Sequence, residues 1–139
     1  MARGPYTRLY VHLVWATAER QPLLTPEIRD AVYACIKRDA AHLKAEVIAI
    51  GGVADHVHVL ARYPAAVSIS RLVQQLKGSS SHLVTQRLGH LFQWQGGYGA
   101  FSLSRSLIPR VQKYIERQED HHHDNTLLAA LEQDEEEAP

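Results

Sequence analysis

The stretch EVIAIGGVADHVHVLAR, residues 46–62, decides the fold, because it holds two strand-forming runs separated by a turn signal. Residues 46–50 and 55–62 are rich in valine and isoleucine, which favour strands. The pair Gly51-Gly52 lies between the two runs and predicts a turn or a bulge. The stretch therefore predicts a hairpin of two antiparallel strands.

Strand and helix patterns continue on both sides of this hairpin. Residues 6–16 alternate with period two, with Leu9, Val11, Leu13 and Trp15 on one face, and Thr25-Pro26 opens a helix. After the hairpin come a helix over 68–87, a short bent strand within 91–103, and a helix from 104–106 to about 122. The order β-α-β-β-α-β-α predicts an α+β fold with a ferredoxin- or RRM-like antiparallel sheet and helices packed on it.

Length and composition indicate one ordinary globular domain. The chain has 139 residues and is 45% hydrophobic, enough for one core. It contains no run of about 18 apolar residues, and its first five residues lack a signal-peptide pattern, so we expect a cytoplasmic protein with no membrane segment. The single cysteine, Cys35, excludes an internal disulfide and is interpreted as a small core residue.

The net charge of zero conceals an uneven distribution of charge. The C-terminal acidic residues are Glu132, Asp134, Glu135, Glu136 and Glu137. Without them the chain has 15 basic and 10 acidic residues, a charge of +5, which suits a partner that carries phosphates. We expect a domain over 1–125, followed by a disordered acidic tail over 126–139.

Two histidines, His56 and His58, flank Val57 in the second strand of the hairpin. Because side chains alternate between the faces of a strand, both imidazoles lie on one face. Asp55 lies on the Val57 face if the strand is regular. Two adjacent imidazoles can chelate a cation, with Zn, Mn, Ni or Cu favoured over Mg, but a site needs a third ligand. Such pairs also occur by chance on solvated sheet faces.

Near the C-terminus, Tyr114 and Gln118 are four residues apart on the last predicted helix and so share one face. A tyrosine hydroxyl, with an ordinary pKa of about 10, is a poor nucleophile at neutral pH. A metal that polarises a phosphate would compensate for this weakness. The competing interpretation makes Tyr114 an amphipathic core residue, with Lys113 and Arg117 on a solvated face or in contact with phosphates.

Two of these segments resemble the single-tyrosine transposases of the insertion-sequence 200-like family. Residues 51–60 resemble the family's His-hydrophobe-His (HUH) motif, and residues 111–122 resemble its tyrosine helix. Residues 10–15, 76–80 and 94–102 fit as well. The similarity extends from Pro5 to about His122, and the motifs are specific in combination, although each alone is not.

The resemblance implies a site and a reaction. His56 and His58 would bind Mg²⁺ or Mn²⁺, and Gln118 would be the third protein ligand. Tyr114 would attack a phosphodiester of single-stranded DNA, leaving a 5′-phosphotyrosine and a free 3′-hydroxyl that later rejoin. This DNA transposition conserves the bond energy, so no nucleotide cofactor is expected.

The resemblance also implies partners, namely hairpin-forming single-stranded DNA and a second copy of the chain in a homodimer. Trp94 and Tyr98 are candidates for base stacking, with a core role as the alternative. In addition to Lys113 and Arg117, the candidate contacts to the DNA backbone are Arg62, Arg71, Lys77, Arg87 and Arg105.

Three other functions compete with a mobile-element transposase. The first is a domesticated relative that processes repetitive extragenic hairpins, which only the flanking DNA would distinguish. The second is a non-catalytic nucleic-acid-binding module, disfavoured because His56, His58, Tyr114 and Gln118 are all present. The third is a small zinc protein that uses the histidine pair and the tract 121–123.

Overall fold

The computed structural model describes residues 5–118 and Glu132. Within them are four strands and three α-helices, in the predicted order. The strands are β1 Leu9–Ala16, β2 Glu46–Val53, β3 His56–Tyr63 and β4 Gly99–Ser102. The helices are α1 Pro26–His42, α2 Ile69–His82 and α3 Ile108–Glu116.

The four strands form one antiparallel sheet in the order β2-β3-β1-β4. The predicted hairpin is β2-β3, and β1 pairs with the free side of β3. This register places Ala16 opposite His56 and Val14 opposite His58. The predicted α+β fold with a ferredoxin-like sheet is confirmed.

The two faces of the sheet carry different helices. On one face, α1 and α2 cover a large core that includes Leu13, Trp15 and Val59. On the other face, α3 packs on Ala49 and Leu60 through its own apolar residues. Both faces of β1 are therefore buried from residue 11 to 16, whereas the sequence predicted one clearly apolar face. As predicted, Cys35 lies inside the α1 face of the core.

Several element boundaries differ from the predicted ones. Helix α2 is capped by Ser68, which accepts a hydrogen bond from the Arg71 amide at 3.2 Å, but it gives way to a π-helical turn at Leu83–Arg87. A 3₁₀ turn, Arg105–Leu107, precedes α3. The extension of this helix to about 122, the tract 121–123 and the domain boundary at 125–126 lie outside the described residues.

The sequence predicted a turn or a bulge at the glycine pair, and the structure shows neither there. Gly51 and Gly52 lie inside β2 and pair with His58 and Val57, and the turn falls after β2, before His56. A Cβ on Gly51 would lie 2.2 Å from the carbonyl oxygen of Ile115 in α3. The glycine is therefore required because a helix backbone approaches the strand closely.

We expect Gly51→Ala to destabilise the fold by roughly 1–3 kcal/mol, because the added methyl group must push α3 away from the sheet. Urea unfolding monitored by circular dichroism measures the change. Gly78→Ala is the matched control, since its Cβ meets nothing within 4 Å in the middle of α2 and should stabilise by roughly 0.5–1 kcal/mol. Equal unfolding midpoints for the two variants would contradict the close approach of α3.

Among residues 5–118 and 132, no helix is long and apolar enough to cross a membrane.

Candidate active site

Strand β3 presents His56 and His58 on the same face, as its alternation predicts. Both side chains are buried, and their ring centroids are 5.1 Å apart. Their Nε2 atoms converge, because they lie 3.0 Å and 3.1 Å from the same oxygen, Oε1 of Glu132. The pair is therefore directed at a common point beneath α3 and does not lie on a solvated sheet face.

The other ring nitrogen of each histidine is held by a second residue. Nδ1 of His56 lies 2.7 Å from the carboxylate of Asp55. Asp55 is in the hairpin turn and is not on the Val57 face of a regular strand, which corrects the sequence-based placement. Nδ1 of His58 lies 2.8 Å from Nε2 of His12 in β1, and the two rings stack with centroids 5.0 Å apart.

His12 is neutral in this arrangement. Burial first, and then the neighbouring His58, lower the pKa of His12 to about 3. A neutral imidazole can accept a hydrogen bond from the Nδ1 proton of His58. Nε2 of His58 would then offer its lone pair to a cation at the common point, once the ion displaces the proton that Nε2 shares with Glu132. Partners of this kind orient metal-binding histidines and set their tautomer.

Helix α3 brings the predicted tyrosine to the histidine pair. Tyr114 is only 5% exposed, and its ring centroid is 6.2 Å from that of His58. Gln118 follows Tyr114 by one turn, is 2% exposed, and places Oε1 3.3 Å from Nε2 of His56. The four residues that the resemblance singled out thus meet in one place.

A fifth residue, Glu132, lies at the centre of this cluster. Its Oε2 accepts a hydrogen bond from the Tyr114 hydroxyl at 2.6 Å, and the Gln118 amide nitrogen is 3.3 Å away. Burial alone would raise the pKa of the Glu132 carboxyl, but hydrogen bonds with His56 and His58 outweigh burial and hold this pKa well below its usual range. The carboxylate is therefore ionised. Burial alone would lower the pKa of His56, but hydrogen bonds with Glu132 and Asp55 outweigh it and raise this pKa.

The donor set fits a divalent cation. His56, His58 and Glu132 each offer one ligand atom, all within 4.8 Å of one another, and the Gln118 oxygen lies beside them. Two imidazoles with hard oxygen ligands suit Mn²⁺ and leave Mg²⁺ possible. A second observation also fits a metal. Nδ1 of each histidine lies within hydrogen-bond distance of another side chain, which is the usual arrangement of metal-binding histidines.

The predicted basic residues are divided between the two faces of the sheet. Lys113 is exposed on α3 and Arg117 is exposed directly after it, on either side of Tyr114 in sequence. Arg62 and Arg105 line a groove of about 480 Å³ that includes Pro109 in the first turn of α3. The remaining three belong to the α2 side of the molecule: Arg71, Lys77 and Arg87.

Several candidate nucleic-acid contacts have structural partners, among them Arg62, whose guanidinium lies 3.4 Å from the Glu46 carboxylate. The Lys77 ammonium donates to the carbonyl oxygens of Gln95 at 2.6 Å and Gly97 at 3.0 Å, and burial lowers its pKa. Trp94 is buried and donates its indole N–H to Ser80 at 2.9 Å, which favours the core alternative over base stacking. Tyr98 packs against the same core.

Sequence reasoning missed His12, the contact of Asp55 and the position of Glu132. His12 lies on the less apolar face of β1, and it becomes informative only once β1 is known to pair with β3. Glu132 was grouped with the acidic tail and had no assigned role. No local pattern distinguishes it from the other tail carboxylates.

Comparison with known proteins gives a consistent result. A family model described as "Transposase IS200 like" matches residues 5–118. The chain is 30% identical over 125 residues to the ISDra2 transposase TnpA of Deinococcus radiodurans, covering 85% of this chain and 89% of that protein. It is 27% identical over 114 residues to the transposase for insertion sequence element IS200 of Salmonella typhimurium, covering 77% and 74%.

Solved structures agree with these relatives. A crystal structure of a candidate transposase from Deinococcus radiodurans superposes with a TM-score of 0.69 at 28% identity, covering 85% of this chain and 96% of that chain. A REP-associated tyrosine transposase bound to a REP hairpin superposes with a TM-score of 0.65 over 91% of this chain and 75% of that chain. At 14% identity the second likeness shows the fold alone.

Proposed function

The chain belongs to the IS200-like transposase family, and from this membership we propose that it cleaves and rejoins single-stranded DNA through a covalent bond to Tyr114. One observation carries the proposal. The hydroxyl of Tyr114 and the Nε2 atoms of His56 and His58 all contact one carboxylate, that of Glu132. A nucleophile and a pair of metal ligands thus lie within contact distance of one small anionic group.

In the proposed step, Oη of Tyr114 attacks a phosphorus atom of the DNA backbone. The new bond joins phosphorus to the tyrosine oxygen, and the bond between phosphorus and the 3′-oxygen breaks. The phenolic proton is released to water, and the departing 3′-oxygen takes up a proton from water to become a hydroxyl. The product is a 5′-phosphotyrosine, from which a 3′-hydroxyl regenerates a phosphodiester by the reverse chemistry.

His56 and His58 would hold Mg²⁺ or Mn²⁺ through Nε2, with Gln118 contributing Oε1. When bound, the ion would polarise the scissile phosphate and offset its charge. Asp55 and His12 keep the two imidazoles in position. Helix α3 places the Tyr114 ring beside that of His58, so the nucleophile needs little reorientation toward a phosphate bound near the histidines.

The proposed substrate path lies on the α3 face. Lys113 and Arg117 lie close to the nucleophile in sequence. Arg105 and Arg62, which pairs with Glu46 at 3.4 Å, line the neighbouring groove. Arg71 and Arg87 lie toward the opposite face of the sheet and can contact only another part of a folded DNA. We propose a hairpin-forming strand as substrate, with a bound hairpin in the REP-associated structural neighbour as support.

Homodimer formation remains a prediction. His56, His58, Tyr114 and Gln118 come together within one chain, so the proposed site has these residues without a contribution from a second copy. A domesticated function at extragenic hairpins, the alternative prediction, would use the same chemistry.

The proposal is tested by incubating the protein with a labelled single-stranded hairpin and Mn²⁺ or Mg²⁺, then separating the mixture on a denaturing gel. We expect a labelled protein band that requires the metal and disappears with a chelator. Blunt-ended duplex DNA of the same sequence serves as the substrate control. Cleavage without any protein-bound label would instead indicate hydrolysis by a metal-activated water.

A further inference from the structure

Glu132 lies beyond the part of the chain that the family model matches, which ends at residue 118. It is nevertheless only 16% exposed, because its carboxylate lies inside the candidate site. Oε1 faces the two histidines, while Oε2 faces Tyr114 and Gln118. Both oxygens are therefore engaged by residues of the site.

The spacing of these atoms is that of neighbouring ligands around one ion. Ligands about 2.1 Å from an octahedral ion lie about 3.0 Å from their neighbours. Oε1 of Glu132 is 3.0 Å from Nε2 of His56 and 3.1 Å from Nε2 of His58. The Gln118 oxygen is 3.3 Å from Nε2 of His56. The four atoms can thus surround one cation with small adjustments.

We propose that Glu132 is a further ligand of the metal held by His56 and His58, and that its second oxygen positions the hydroxyl of Tyr114. This inference rests on the proposed function, because it assigns a role within the same site. Two imidazoles and an amide are neutral ligands. Glu132 adds a negative charge to this set. Two histidines and one carboxylate form a recurrent divalent metal site with open positions.

The arrangement leaves space for the substrate. With these four protein ligands, an octahedral ion would keep two positions for phosphate oxygens. The Tyr114 hydroxyl donates a hydrogen bond to Oε2, so its lone pairs remain available to attack a phosphate bound at those positions. Glu132 would therefore act on the nucleophile as a positioning residue and on the cation as a ligand.

The first test measures Mn²⁺ binding in the absence of DNA, by electron paramagnetic resonance of the free ion. Removing partners that only support metal ligands costs roughly 10- to 100-fold in affinity. We expect Glu132→Gln to weaken Mn²⁺ binding by at least this factor. Glu135→Gln, which removes the same charge from the same acidic segment, should bind as the wild type does. Glu132→Asp should recover part of the loss.

The second test measures the rate of adduct formation at Mn²⁺ concentrations that saturate each variant. We expect Glu132→Gln to remain at least about 10-fold slower, because Tyr114 has lost a charged hydrogen-bond acceptor. Tyr114→Phe should keep wild-type Mn²⁺ affinity, which separates the ligand role from the role toward the nucleophile.

Two results would overturn the inference. Unchanged Mn²⁺ affinity in Glu132→Gln would remove the ligand role. Tighter DNA binding with faster adduct formation in that variant would show that the carboxylate stands where the phosphate must bind and obstructs the reaction. Failure of the proposed function would give a different result. The wild type would form no adduct, while Glu132→Gln would still bind Mn²⁺ more weakly than the wild type.

Discussion

Tyr114→Phe is expected to abolish the covalent protein–DNA adduct, lowering its rate of formation by at least about 10⁴-fold, the scale of losses caused by removing a nucleophile. The variant loses one oxygen, and with it the only atom of this side chain that can bond to phosphorus. The aromatic ring can keep its packing beside His58, so the metal site should persist. The measurement is the labelled band on a denaturing gel.

The stability of Tyr114→Phe separates chemistry from folding. The lost hydrogen bond to Glu132 should change the free energy of unfolding by only about 1–2 kcal/mol, because Gln118 still contacts the carboxylate. Tyr63→Phe is the matched control, since this tyrosine ends the strand that begins with His56. An adduct that survives in Tyr114→Phe would show that another residue is the nucleophile.

His56→Ala is expected to remove metal binding and to lower adduct formation by roughly 1000-fold, which corresponds to several kcal/mol of lost charge stabilisation. Its Nε2 lies beside both the Glu132 and Gln118 oxygens, so the variant removes the ligand next to two others. It also leaves the Asp55 carboxylate without its imidazole partner. Mn²⁺ affinity and adduct rate should therefore fall together.

His90→Ala is a matched control for this variant, because His90 is exposed in the segment between α2 and β4. It should retain both Mn²⁺ affinity and adduct formation. If His56→Ala kept wild-type Mn²⁺ affinity with a normal fold, the cation would have to bind elsewhere. The same result would contradict the zinc-protein alternative, because that alternative also uses the histidine pair.

Local patterns predicted most of the fold because they depend only on the backbone repeat. Period two placed His56 and His58 on one face of a strand, and the helical repeat placed Gln118 one turn after Tyr114. The same reasoning failed at Gly51 and Gly52. A glycine pair predicts a turn when only its neighbours are considered, whereas here the close approach of Ile115 explains the first glycine.

The sequence by itself determined the order of strands and helices, the shared face of each candidate pair, and the resemblance that joined the pairs in one function. Only the tertiary structure decided that α3 packs on the face of the sheet that carries the histidines, opposite α1 and α2. It also decided that His12 supports His58 and that Glu132 lies against Tyr114. These contacts join residues 46 and 18 positions apart. Local geometry cannot specify them, because they depend on how the whole sheet and its helices pack.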